Sequence, residues 1–158
     1  MSTPEASASG TATTEPDLLA LESQVCFALA VASRRVIGLY RPVLEPLGLT
    51  HPQYLVMLAL WQHEPLSVRR LGELVSLEPA TLSPLLKRLE AIGYLHRTRD
   101  AADERSLKVT LTASGRALRD QALAVPSTIM AKLEMDVDEL RDLHAVLTDV
   151  IAHTEGKI

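Results

Sequence analysis

The chain has 158 residues, enough for one ordinary domain with a sizeable core. It is 47% apolar and 23% charged with only 3% aromatics, so an aliphatic core is expected. The formal net charge is −4 and there is a single cysteine, which excludes an internal disulfide and an all-cysteine zinc site.

Residues 1–16 are Ser, Thr, Ala, Gly, Glu and Pro with no large apolar side chain after Met1, a composition that cannot offset its ordering entropy. They are expected to form a disordered tail. The opening stretch also lacks the basic end and apolar run of a secretory signal. No segment approaches the roughly 18 consecutive apolar residues of a membrane span. A cytoplasmic, reducing location and no membrane association are therefore expected.

A long helix is predicted from about Asp17 to Glu45, with Asp17 as its cap. Leu18, Leu21, Val25, Leu29, Ala32 and Val36 recur at three- and four-residue spacing. Pro42 and Pro46 bend or end it, and Gly48 supplies the turn. Thr50 and Gln53 have capping-box spacing and open a second helix, whose stretch YLVMLALW is apolar all round and so predicted to be buried. Ser67 caps a short third helix, VRRLGELV. A fourth begins with Pro79 at its first position and stops at Gly93, with Leu82, Leu85, Leu86, Leu89 and Ile92 as its buried stripe.

The period then changes. YLHRTR and SLKVTL read as two short strands, with Leu107, Val109 and Leu111 alternating and DAADER as a charged tip. Thr112 caps a helix that Pro126 interrupts. Asp136 and Glu139 form a second capping box, opening a last amphipathic helix through about His153.

This order predicts a mainly α fold: a winged helix-turn-helix over residues 50–112 within a single domain of residues 17–158. The long amphipathic helices of residues 17–49 and 113–158 have no evident partner in so small a domain. They are expected to dimerise with a second copy of the chain.

Charge supports a double-stranded DNA partner. Residues 66–109 carry eight basic and six acidic side chains, a balance of +2 that leaves −6 for the rest. Phosphate neutralisation supplies most DNA affinity, so this asymmetry outweighs the total. On the fourth helix, Pro79, Ala80, Thr81, Ser83, Pro84, Lys87 and Arg88 lie on or near the face away from the leucines. The small first-turn side chains allow close approach to a major groove, where Thr81 and Ser83 can hydrogen-bond. Lys87 and Arg88 are placed to meet phosphates. Ser67 is counted with this surface. At the hairpin tip, an Arg105 guanidinium braced by Asp103 suits a narrow minor groove.

The stretch LSPLLKRLEAIGYLHRTRDAADERSLKVTLTASGRAL resembles the winged-helix core of the multiple-antibiotic-resistance regulator (MarR) family. LESQVCFALAVASR, YRPVLEPLGLTHPQYLVMLALWQHE and TLSPLLKRLE are similar to its organic hydroperoxide resistance branch, of the one-cysteine type. The resemblance covers about residues 18–153. It implies a homodimeric repressor on a pseudo-palindromic operator, released when an organic hydroperoxide oxidises one cysteine, here Cys26. It also implies tyrosine hydroxyls bonded to the sulfur. One matches Tyr40; His51 stands at a second tyrosine position and Ala30 at a third. EPAT replaces the branch's Asp-Ser-Gly-Thr pattern.

Fourteen residues separate Cys26 from Tyr40, about 21 Å along one helix, so any bond between them must join two chains. His51 could stabilise the thiolate with a ring N–H or as imidazolium. Tyr54, on the same helix face as His51, is a further candidate. With one cysteine, the sulfenic acid must persist, condense with a low-molecular-weight thiol, form a sulfenamide or over-oxidise. An alternative is a repressor of this family answering a small aromatic or phenolic ligand, with Cys26 only packing. No Gly-rich phosphate loop, metal cluster or orienting third residue is recognisable. No enzymatic activity, catalytic residue, cofactor or metal is expected.

Overall fold

The computed structural model describes residues 17–103 and 105–157. The tail expected over residues 1–16 lies outside them. The chain divides into two compact units, residues 1–35 and 36–158.

In the first unit the predicted helix start moves. Asp17 caps no helix; its Oδ1 accepts the Leu19 N–H at 3.0 Å and closes a turn. Leu21–Ser23 make a single 3-10 turn, and helix α1 spans Val25–Leu44. The Gln24 amide donates to the carbonyls of Leu18 at 2.6 Å and Ala20 at 3.4 Å. These local side-chain bonds compete with helical ones and delay the helix. Leu18, Leu19 and Val25 remain 80%, 90% and 71% exposed.

Pro42 sits inside the last turn of α1, and a 3-10 turn over Glu45–Leu47 follows, with Gly48 at a φ of 69°. Helix α2, His51–His63, opens as predicted: the Thr50 N–H donates to Gln53 Oε1 at 2.9 Å. Its Tyr54, Val56, Met57 and Leu60 are buried.

A two-residue strand, β1 (Leu66–Ser67), is not anticipated by the sequence, because two residues show no alternation. Helix α3 (Val68–Val75) follows, with Ser67 Oγ accepting the Arg70 N–H at 3.1 Å. The turn into helix α4, Pro79–Ile92, is tight: a Cβ on Gly72 would lie 2.8 Å from the Leu77 carbonyl oxygen. Leu82, Leu86 and Leu89 are buried and Leu85 is half-buried. Ile92, predicted as core, is 48% exposed. The chain turns under at Gly93, and Leu95, fully buried, occupies the core where the stripe ends.

Strands β2 (Leu95–Arg99) and β3 (Leu107–Leu111) form the hairpin, in the register Leu95↔Leu111 to Arg99↔Leu107. Because β1 pairs with β3 through Leu66↔Val109, the sheet has three antiparallel strands in the order β1-β3-β2, not two. Val109 and Leu111 are buried; Leu107, opposite Arg99 at the tip end, is 41% exposed.

Thr112 caps helix α5, Ala113–Ala122, its Oγ1 accepting the Gly115 N–H at 2.9 Å. Gly115 is required by a close approach: a Cβ there would collide with the Tyr94 carbonyl. Pro126 does not merely interrupt this helix. It falls in the first turn of a separate helix, α6 (Val125–Leu133), where its missing N–H costs nothing. Helix α7, Val137–Thr154, begins with the expected box: Asp136 Oδ1 accepts from Asp138 and Glu139, and Glu139 Oε2 accepts the Asp136 N–H, each at 2.9 Å. No residue of α7 is buried. Among the described residues no helix is long and apolar enough to cross a membrane.

Candidate functional site

The buried leucines of α4 fix which face it presents. Pro79, Ala80, Thr81, Ser83, Pro84, Lys87 and Arg88 are all exposed, on the side away from Leu82, Leu86 and Leu89. Ser67 stands apart from them as a partly buried cap.

At the hairpin tip the expected brace takes another form. Asp103 Oδ1 accepts the backbone N–H of Arg105 at 3.1 Å, and among the described residues no carboxylate pairs with the Arg105 guanidinium. An aspartate two residues back reaches the backbone amide more readily than the end of a long side chain. The turn is closed by Asp100 N–H to the Ser106 carbonyl and Ser106 N–H to the Asp103 carbonyl, both 2.8 Å. Arg105 is thus exposed beside this hydrogen-bonded turn, with no ion pair among the described residues.

The basic surplus is also redistributed. Arg97 is held by Glu90: Nη2 to Oε2 at 2.6 Å, Nε to Oε2 at 3.0 Å, and its backbone N–H to Oε1 at 2.9 Å. With its side chain only 19% exposed, Arg97 ties β2 to the end of α4. Arg69 and Arg70 both pair with Glu73. Lys87, Arg88, Arg99, Arg105 and Lys108 have no ion pair among the described residues. Glu64 is a structural anchor that the sequence does not advertise. It accepts the Leu111 N–H at 2.8 Å and Arg116 Nε at 2.7 Å. Burial would raise its carboxyl, but these donors outweigh burial and hold it below its ordinary value.

Cys26, in the first unit, is exposed. The three residues proposed to attend a thiolate lie in the second unit and converge there. Thr50 caps α2, so His51 is its first residue, and its ring packs edge-on against Tyr40 of α1 with centroids 4.8 Å apart. Tyr54, one turn further along α2, lies 6.0 Å from Tyr40, with Trp61 6.5 Å behind it. Trp61 is held by its Nε1–H donating to the Gly115 carbonyl at 2.8 Å. Tyr54 is 4% exposed. Among the described residues no atom hydrogen-bonds to the hydroxyls of Tyr40 and Tyr54 or to the His51 ring. Burial raises Tyr40; burial and then the Tyr40 charge raise Tyr54; burial lowers His51. Burial therefore disfavours the charged form of the His51 ring.

The sequence profile of the MarR family matches residues 49–107, from the turn before α2 to the start of β3. Over 131 residues, 83% of this chain, the sequence is 40% identical to the organic hydroperoxide resistance transcriptional regulator of Bacillus subtilis (strain 168), covering 89% of that protein. The chain belongs to the MarR family. Two solved members share its fold. Reduced AbfR bound to DNA is 34% identical with a TM-score of 0.70, covering 84% of this chain and 93% of that one. Overoxidized AbfR bound to DNA gives the same identity and coverage with a TM-score of 0.69. In this MarR family chain, the matched segment contains α2, α3, α4, β2 and the hairpin tip and ends where β3 begins.

Proposed function

We propose that the protein is a DNA-binding transcriptional repressor that senses organic hydroperoxides by oxidation of Cys26 and then releases its operator. The observation that carries this reading is the 40% identity to an organic hydroperoxide resistance regulator in a chain whose one thiol is exposed.

Residues 50–112 form the DNA-reading lobe, and residues 17–49 and 113–158 the dimerisation helices of a homodimer. Apolar side chains left bare at both ends of the chain support the second assignment: Leu19 is 90% exposed, Val146 60% and Ile151 66%. The exposed face of α4 enters the major groove, Thr81 and Ser83 reach base edges, and Lys87 and Arg88 meet phosphates. Arg105 enters the minor groove from the hairpin tip. Two α4 helices about 34 Å apart read a pseudo-palindromic operator.

The thiolate is the nucleophile, and a free cysteine with a pKa near 8.5 is only about 3% ionised at pH 7. Tyr40 and Tyr54 of one subunit are assigned to the partner subunit's Cys26, since fourteen helical residues correspond to about 21 Å and Tyr40 is out of reach of the cysteine on its own helix. Their hydroxyls, without a hydrogen-bond partner among the described residues, are donors for the anion. Oxidation gives a sulfenic acid, larger and more polar than the thiol, which spreads the apolar interface and alters the α4 spacing. Overoxidized AbfR is solved on DNA. Release in this chain is accordingly assigned to the sulfenic acid or its mixed disulfide with a low-molecular-weight thiol. The protein acts in the cytoplasm and is not an enzyme, a reading supported by relatives named as regulators.

The test is an operator gel shift with and without cumene hydroperoxide. Wild-type protein is expected to release DNA on oxidation, and Cys26→Ser to bind it and stay bound. A Cys26→Ser protein that still lets go in hydroperoxide would overturn the sensing role and favour a small-molecule ligand.

A further inference from the structure

Between the end of α4 and the start of the hairpin the chain has only Gly93 and Tyr94. Packing holds the hairpin at its base. Leu95 and Val109 are fully buried and Leu111 is 4% exposed. Beyond the Arg97↔Val109 rung no side chain is buried among the described residues. β2 is also an edge strand, paired with β3 alone in the order β1-β3-β2. Apolar contact therefore leaves the direction of the outer half of the hairpin open.

Glu90, in the last turn of α4, supplies what packing does not. Its Oε2 accepts Arg97 Nη2 at 2.6 Å and Nε at 3.0 Å, and its Oε1 accepts the Arg97 backbone N–H at 2.9 Å. One carboxylate thus grips both the side chain and the backbone of the last anchored rung. Charge-assisted bonds of this kind are about twice as strong as neutral ones. The pair is also sheltered: the Arg97 side chain is 19% exposed, against 90% for Arg69 and 60% for Arg70 in their pairs with Glu73. From Arg97 to Ala101 the strand reaches about 13 Å, so a tilt of about 10° at this rung moves the tip by about 2 Å. A minor groove about 6 Å wide and a hydrogen bond about 3 Å long do not absorb that shift.

We propose that the Glu90–Arg97 clamp sets the angle between α4 and the hairpin, so that the major-groove half-site and the flanking minor groove are read at one fixed spacing. This rests on the reading of α4 in the major groove and Arg105 in the minor groove. Glu90 and Arg97 are positioning residues: they select the spacing without contributing a DNA contact of their own. Charge and geometry then predict opposite signs. Glu90→Gln removes a negative charge from the DNA-binding lobe and frees the Arg97 guanidinium, which by phosphate attraction alone raises affinity. Loss of the clamp lowers affinity, because Arg105 no longer meets its groove in register with α4.

The experiment uses the reduced full-length protein and a duplex enriched by the wild-type protein from a random-sequence pool. A second duplex carries one extra base pair between each half-site and its flank. Kd is measured on both for wild type, Arg105→Ala, Arg97→Met and Glu90→Gln. Wild type is expected to lose about tenfold on the insertion and a similar factor on Arg105→Ala, the scale of one specific groove contact. Arg97→Met and Glu90→Gln are each expected to bind the first duplex about as weakly as Arg105→Ala, with no further loss when combined with it. They are also expected to distinguish the two duplexes by less than about twofold, and to lose hydroxyl-radical protection of the flank while keeping that of the half-site. A Glu90→Gln protein that binds more tightly than wild type, or an Arg97→Met protein that still rejects the insertion, overturns the proposal and leaves the groove assignments standing. An Arg105→Ala protein that binds like wild type overturns the minor-groove reading and the proposal with it. Should Arg97→Met fail to fold, Glu90→Gln, which keeps an acceptor for the Arg97 backbone N–H, decides by the same criteria.

Discussion

Leu86 on α4 and Val146 on α7 are both aliphatic residues on amphipathic helices, yet Leu86 is 1% exposed and Val146 60%. Around Leu86, α2, α3, α4 and the sheet close over an aliphatic core, and the polar groups at its edges are paired. Glu64 bonds to Leu111 and Arg116, Glu90 to Arg97, and the Tyr94 hydroxyl donates to the Leu47 carbonyl at 2.9 Å. Around Val146 nothing among the described residues covers the apolar face. The difference teaches that the lobe around α4 closes its core within one chain, whereas the end helices keep hydrocarbon exposed, which is the observation behind the proposed dimer.

Truncation inside the lobe is the sharpest way to break this contrast. Leu86→Ala leaves a cavity between α4 and its neighbours and is expected to cost about 3 kcal/mol in chemical denaturation, within the usual range for a buried leucine. Gly115→Ala drives a methyl group into the Tyr94 carbonyl and is expected to cost about 2 kcal/mol, with a matching fall in Tm. A Gly115→Ala protein as stable as wild type would mean that α5 slides on the sheet with little resistance.

At the chain ends the effect moves from folding to assembly. Val146→Ser is expected to leave lobe stability within about 0.5 kcal/mol, as for an exposed site. It is expected to weaken the dimer by about tenfold in sedimentation equilibrium, the loss of one buried valine. If the dimer is unchanged while the lobe melts early, the division between self-sufficient and partner-dependent regions is misplaced.

Smaller effects sharpen the picture within the lobe. Lys87→Gln is expected to lower the slope of log K against log salt by about 0.9, uniformly across DNA sequences, since it removes one phosphate contact. Glu64→Gln is expected to cost about 1 kcal/mol at pH 7, its partner Arg116 being 57% exposed and screened. Because the native carboxyl lies below its unfolded value, its contribution is present above the unfolded value. It disappears as pH falls through the native one, so wild type and Glu64→Gln are expected to converge in acid.

Local signals in the chain are read correctly wherever neighbours within a few residues decide the outcome. Thr50, Ser67, Thr112 and Asp136 cap the helices foreseen for them, Pro79 begins α4 and Gly93 ends it. Asp17 is the exception: its carboxylate and the Gln24 amide found nearer backbone partners than a helix offered. The exposed face of α4 follows from leucine spacing alone.

What a strand or an ion pair needs across tens of residues was not written in any window. Leu66 and Ser67 become a strand only because β3 passes beside them, Arg97 leaves the DNA-facing charge only because β2 folds back on Glu90, and Ile92 yields its core place to Leu95. The sequence by itself determined the helices from α2 onward, their caps and the β2–β3 hairpin, because these depend on local bonding and residue identity. Only tertiary structure decided that Tyr40, His51 and Tyr54 share one cluster, because burial and ring packing arise from segments the chain brings together in space.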